Sequence, residues 1–296
     1  MASAAKLARI AISRILLATD FSPESQNALY CAISLAKRYD SLLFLTHVLP
    51  PEGAMAAGDT WPGVSDAARR AAEKSMARLE KTEGLNAISH DVLIASGDTW
   101  DIIAKVLRDE HVDLVVMGTH GDSGVKKLFL GSTAEKVTRH ASCPVLTLGP
   151  HVEFTSSSRF HHIVYATDFS SGSARALGYA VALAEEDRAD LTLLHVIESK
   201  PGSDSELLEW KRLDRERLSG MLPSGADLAY EPEIEVEAGI PEVEIVRLAD
   251  TRKADLIVMG SHSGGTTATH VPWSTLHHVL RNAHCPVLTV RGKAAA

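Results

Sequence analysis

The stretch RILLATDFSPES, Arg14 to Ser25, sets an apolar run against an immediate turn and a helix start. Its branched residues read as a short buried strand. Ser22 then stands where an N-cap hydroxyl is wanted, and Pro23 fits the first helical position, where its missing N–H costs nothing. Beyond it Ala28, Cys31, Ala32, Leu35 and Ala36 recur at i, i+3, i+4, i+7 and i+8, one face of a helix. Strand, acidic turn and helix in that order open an α/β fold.

The same letters return. RILLATDFS at 14–22 is echoed by HIVYATDFS at 162–170, and THV at 46–48 by LHV at 194–196, in both cases 148 residues later (162 − 14 and 194 − 46). VDLVVMG at 112–118 is echoed by ADLIVMG at 254–260, and CPVLTL at 143–148 by CPVLTV at 285–290, now 142 residues later (254 − 112). Self-similarity on this scale predicts two tandem domains, 1–150 and 151–296, joined through the polar stretch GPHVEFTSSSR at 149–159.

Within the first copy LLFLTHV, HDVLIASG, VDLVVMG and PVLTLG read as further strands. Between them Val64–Leu79, TWDIIAKVLRDEH (Ile103, Val106 and Leu107 inward) and STAEKVTRHAS read as helices. Apolar strands alternating with helices imply a parallel sheet covered on both faces. In such sheets ligands sit beyond the carboxyl ends of the strands, where strand order reverses. Asp20, Val48 and Gly118 all end strands, so they should converge on one rim.

Composition excludes several classes. A chain of 296 residues with 45% hydrophobic and 23% charged residues can build two cores. A net charge of −8 is the wrong sign for sequence-independent binding to nucleic acid. No apolar run approaches the roughly 18–20 residues of a membrane span. The opening MASAAKLARIAIS is broken by Arg9 and does not read as a signal peptide. Three widely spaced cysteines, Cys31, Cys143 and Cys285, suit a reducing cytoplasm and small core positions.

The chemistry gathers in MGTHGDSGVKKLFLGST, Met117 to Thr133, with glycines at 118, 121 and 131 and the hydroxyl pair Ser132–Thr133. A strand ending in glycine, a glycine-rich loop and a fresh helix start make an anion cradle. The backbone is unshielded there, and the first amides of the helix point outward at the positive end of its dipole. The loop lacks the lysine of GxxxxGK[ST] and follows the fourth strand, so it is neither a P-loop nor a Rossmann dinucleotide fingerprint. A turn that merely joins strand to helix is the plainer reading. Asp20 on the same rim argues against it: a carboxylate beside an anion site needs a neutral partner such as a ribose hydroxyl or a base N–H, which suggests a nucleotide.

On the residues ATDFS, HV after the second strand, and MGTHG…GST…CPVL, the chain resembles the universal stress proteins in their tandem two-domain form, from about Arg14 to Gly149 and from His161 to Arg291. The ATP-binding branch of that family writes its phosphate motif G-2x-G-9x-G-[S/T], matched here by Gly118, Gly121, Gly131 and Ser132. The resemblance implies two Rossmann-like α/β domains, each a five-stranded parallel-core sheet with helices on both faces, paired through their last strands as an internal pseudo-dimer. It implies that Asp20 (with Thr19) and the backbone of Val48 hold the adenosine end. The phosphates then fall to Met117, Gly118, Thr119, His120, Gly121, Gly131, Ser132 and Thr133. ATP, with or without Mg²⁺, is the expected cofactor; a homodimer of chains is neither required nor excluded.

The second copy departs from this. Asp168, Val196, Gly260 and Ser274 are kept, with Thr275 behind, but Gly121 is matched by Ser263 and Gly131 by Trp273. An indole at the mouth of the helix would occupy phosphate space, and Val271–Pro272 stiffens the approach, while Gly264 and Gly265 leave some freedom. The second domain is therefore expected to keep the fold but not the phosphate grip. His262, His270, His277, His278 and His284 crowd this region without the spacing of a known metal site. Lys126 and Lys127 read as solvated surface; Trp61 and Trp100 flank the rim and read as packing. Asp122 and Glu135 fall near the phosphate end in no recognisable catalytic arrangement. The expected function is an ATP-binding stress-response regulator, the alternative a slow ATP hydrolase or nucleotidyl-transferring enzyme on the same scaffold.

Overall fold

The structure is a computed structural model that describes residues 10–51, 63–119, 130–154, 159–198, 202–261 and 273–292. Two compact units divide the chain, Ala11–Ser158 and Arg159–Ala296. The first unit runs β1 (Arg14–Ala18), α1 (Pro23–Tyr39), β2 (Leu42–Leu49), α2 (Gly63–Leu79), a 3₁₀ turn (Leu85–Ala87), β3 (His90–Ser96), α3 (Thr99–Asp109), β4 (Leu114–Gly118), α4 (Ser132–His140) and β5 (Val145–Leu148). The second runs β6 (His162–Thr167), α5 (Ser171–Asp187), β7 (Asp190–Ile197), α6 (Asp204–Met221), β8 (Glu233–Ala238), α7 (Pro241–Arg252), β9 (Leu256–Ser261), α8 (Trp273–Asn282) and β10 (Val287–Arg291).

In the first unit the strands lie in the order β3-β2-β1-β4-β5, all parallel, and in the second in the order β8-β7-β6-β9-β10, again parallel. Both sheets therefore reverse direction beside their first strand, between β1 and β4 and between β6 and β9. Helices cover each sheet: α1 lies along β1, β4 and β5, α2 along β2 and β3, and α3 along β2. The face named in the sequence is buried throughout: Ala28, Cys31, Ala32, Leu35 and Ala36 are between 0% and 3% exposed. Ser22 caps α1 by accepting from the Ser25 N–H, with Pro23 as its first helical residue.

Two carboxylates fix where the strands begin. Asp113 accepts from the Ser13 and Arg14 N–H groups at 2.8 and 3.0 Å, and Asp255 does the same for His161 and His162 at 2.8 and 2.9 Å. Each binds the start of a unit's fourth strand to the start of its first, across the line of reversal.

The expectation of apolar strands buried on both faces fails at the edges. Val92 of β3 is 41% exposed. In β8, Glu233 and Glu235 are ion-paired to Arg252, and Glu237 to Arg247 and Lys211, all from the neighbouring helices. An edge strand has a neighbour on one side only, and outward charge there discourages pairing with another chain. The segment after β5 is also less linker-like than its composition: Val152 and Phe154 are buried, and the Asn27 amide donates to the Val152 carbonyl at 2.9 Å.

Burial holds the thiols of Cys143 and Cys285 up to about 12 and raises that of Cys31 further. All three should stay protonated at pH 8. Native protein should react slowly with a disulfide-exchange reagent and release three equivalents only after denaturation; fast reaction of Cys31 would contradict this packing. A second prediction concerns glycine. A Cβ on Gly260 would lie 2.3 Å from the Ser173 nitrogen, whereas one on Gly118 would lie 3.2 Å from the nearest backbone atom of Glu24. Gly260→Ala should therefore lower the denaturation midpoint of its unit strongly, at or above the usual overpacking cost of about 1–3 kcal/mol, and Gly118→Ala by less.

Candidate functional site

At the carboxyl end of β1 the chain turns through Thr19-Asp20-Phe21-Ser22, and two side chains bend it. The Phe21 N–H donates to Thr19 Oγ1 at 3.1 Å and the Ser22 N–H to Asp20 Oδ1 at 3.0 Å. Phe21 is held at φ +67°, the left-handed region that a bulky residue seldom enters unless its surroundings enforce it. Part of the enforcement comes from His47, whose ring centroid lies 4.4 Å from that of Phe21. His47 Nδ1 lies 2.8 Å from the Thr19 carbonyl, so Nδ1 carries the proton and the ring ties the end of β2 to the turn. The second unit repeats the device with Thr167, Asp168, Phe169 (φ +60°) and His195.

Beyond β1, the end of β4 passes directly beneath the first turn of α1. The close approach at Gly118 leaves a Cβ only 3.2–3.3 Å from Glu24 and Ser25. Gly118 is thus glycine for packing, and neither it nor Gly131, at φ −60°, uses the left-handed freedom that glycine permits. The chain returns at Leu130, where the Gly131 N–H donates to the Thr119 carbonyl at 2.8 Å. Gly131 is the N-cap of α4 and supplies no side chain to it, whereas α1 and α3 are capped by Ser22 and Asp98. The amides of Ser132, Thr133 and Ala134, which have no intrahelical acceptor, open toward the rim.

Between these pieces lies a cleft of about 320 Å³. Thr19, Asp20 and Val48 line it on one side, and Met117, Gly118, Thr119, Gly131, Ser132 and Thr133 on the other. It spans the reversal between β1 and β4. His120 and Gly121 lie outside the described residues, as do Asp122, Lys126, Lys127, Trp61, His262 and His270. Glu135 faces Arg139 at 3.5 Å. The ring of Trp100 packs 5.7 Å from that of His140. Among the described residues no group of three or more His, Cys, Asp or Glu could hold a metal ion, and no helix is long and apolar enough to cross a membrane.

Sequence reasoning missed several lining residues. Ser25 of α1, Thr46 and His47 of β2, and Thr99 and Ile103 of α3 also face the cleft. Of these, Ile103 was legible only as a core position and Thr46 not at all, because a lone threonine inside an apolar strand carries no motif.

The corresponding place in the second unit holds about 40 Å³, room for little more than a water or two. Asp168 and Val196 line it, while Gly260 and Ser274 are not among its described lining residues. The side chain of Trp273, the expected plug, lies outside the described residues. Leu194 stands where the first unit has Thr46, and Pro241 where it has Thr99. The Thr275 hydroxyl donates to Glu242 Oε2 at 3.1 Å, tying the start of α8 to the start of α7. Asp168 Oδ1 also accepts from the Ser173 hydroxyl at 2.7 Å.

The profile of the Universal stress protein family matches residues 11–148 and 159–291. A two-domain universal stress protein of Mycolicibacterium smegmatis is 25% identical over 294 residues, covering 94% of this chain and 96% of its own. A single-domain universal stress protein of Thermus aquaticus is 32% identical over 133 residues, 45% of this chain and 95% of its own. Among solved structures, a universal stress protein of Archaeoglobus fulgidus superposes with a TM-score of 0.71 at 25% identity, covering 94% of this chain and 96% of that one.

The turn itself is open to test. Thr19→Val removes the acceptor of the Phe21 N–H and should destabilise the first unit by about 1 kcal/mol or more, read from denaturation curves. Thr167→Val should do the same to the second unit. No loss in either would mean that the hydroxyls do not hold the left-handed phenylalanine.

Proposed function

This chain belongs to the universal stress protein family, and from that premise we propose that it is an ATP-binding regulatory protein whose first unit alone takes the nucleotide. In this reading the nucleoside lies beside Asp20 and the backbone of Val48, and the phosphates lie against Gly118, Thr119, Gly131, Ser132 and Thr133. The reading is supported by the difference in room between matched places: about 320 Å³ in one unit and about 40 Å³ in the other. The first is the size of a small-molecule pocket.

The electrostatics agree. A helix start without a side-chain cap offers backbone donors and positive potential to a phosphate. The one carboxylate among the described lining residues, Asp20, belongs to the turn after β1 rather than to the strand and helix that carry those amides, and a neutral sugar or base would meet it. Mg²⁺ would enter on the triphosphate, beside the hydroxyls of Ser132 and Thr133, and supply charge neutralisation there. Glu135 is drawn toward Arg139, which disfavours it as a general base. The protein then acts by holding nucleotide and presenting a changed surface rather than by rapid turnover.

Titration calorimetry should find close to one ATP per chain. Gly131→Trp, which copies the second unit into the first, should weaken ATP by about 100-fold, the worth of roughly two charge-assisted hydrogen bonds, and change adenosine little. Two equivalent sites, or equal losses for ATP and adenosine, would contradict the proposal. Steady magnesium-dependent hydrolysis that Gly131→Trp abolishes would favour the enzyme instead.

A further inference from the structure

Thr46 is 1% exposed, and its hydroxyl, buried within the first unit, has no hydrogen-bond partner among the described residues. Buried hydroxyls without partners are rare, because removal from water goes uncompensated. Among the described residues one other hydroxyl is in this state, that of Thr138, which is not among the residues lining the cleft, whereas Thr46 is. Strand alternation puts Phe44, Thr46 and Val48 on one face of β2. That face looks toward α3: Phe44 borders a groove with Ile102 and Val106, and Thr46 and Val48 line the cleft with Ile103. In the second unit the matched position is Leu194, fully buried beside the contracted pocket, with no polar group to satisfy. The polar residue is found where the cleft is open and the apolar one where it is closed.

We propose that the Thr46 hydroxyl is the buried hydrogen-bonding partner of the nucleobase, engaging a polar edge atom of the purine at the floor of the cleft. The inference rests on the nucleotide reading above and deepens it. The base end is assigned from the sheet: β2 lies on one side of β1, and the glycine-bearing β4 with the start of α4 lies on the other. A ligand that spans the rim with its phosphates at α4 puts its base over β2. A threonine hydroxyl both donates and accepts, so it serves either a ring nitrogen or an exocyclic amine. Ile103 and Val48 supply the apolar walls that a planar ring requires.

The test is Thr46→Val, which keeps the shape and deletes the hydroxyl. Its affinities for ATP and adenosine should fall by the same factor, about 3–10-fold, the net worth of one neutral hydrogen bond. Thr46→Ser should restore most of it. The ligand-free variant should melt no lower than wild type, since the lost hydroxyl had no partner. Adenosine analogues lacking one polar edge atom provide a second measurement on the wild-type chain. The analogue missing the bonded atom should bind wild type more weakly than adenosine does, and Thr46→Val should weaken it no further. Unchanged ATP affinity in Thr46→Val, a loss confined to ATP, or analogue losses that all add to that of the variant would overturn the proposal while leaving the nucleotide reading intact. Wild-type protein that binds neither ATP nor adenosine would overturn both.

Discussion

The end of the fourth strand meets the first turn of the first helix so closely that no side chain fits between them. At Gly118 a Cβ would press on Glu24 and Ser25, and at Gly260 it would overlap the backbone of Ser173. This approach lays the start of the helix across the line where strand order reverses. The hydroxyl-rich turn, the bare end of the strand and the returning helix α4 are thereby brought to one rim. The cleft is a consequence of that contact: its walls are the surfaces left over once β4 and α1 have packed. Glycine at these positions is demanded by the fold before any ligand is considered, and that explains why the closed second unit retains it.

What differs between the units is the filling around a shared frame. Thr-Asp-Phe-Ser turns, left-handed phenylalanines and histidines bound to a threonine carbonyl occur in both. Leu194, Pro241 and the Thr275–Glu242 hydrogen bond occur in one. Each is a small change beside a space of about 40 Å³, where the first unit holds about 320 Å³. The repeated frame thus carries one ligand-sized cleft, in the first unit, and a much smaller space at the matched place of the second.

Much of this was legible beforehand, for physical reasons. The strand and helix pattern of Arg14–Ala36 could be read because burial imposes periodicity, and Ser22 and Pro23 because helix starts have few chemical solutions. The rim residues followed from strand ends. Other features left no such trace. The left-handed Phe21 gave no signal, since part of what enforces that φ, the ring of His47, is distant in sequence. The exposed edge at Val92 depends on strand order, which local pattern does not encode. Thr46, matched to Leu194 already in the repeat, gains meaning only from the cleft that it lines. Gly118 was expected to admit phosphate, and its packing against α1 emerged only from the fold.

The central claim is that one unit receives a nucleotide across its strand reversal and the other does not. A crystal structure of the protein grown with ATP tests it most directly. The account predicts one nucleotide per chain, its phosphates against the amides of Ser132 and Thr133 and its base over β2 beside Val48. Nucleotide seated in the second unit, or phosphates lying away from the start of α4, would contradict it.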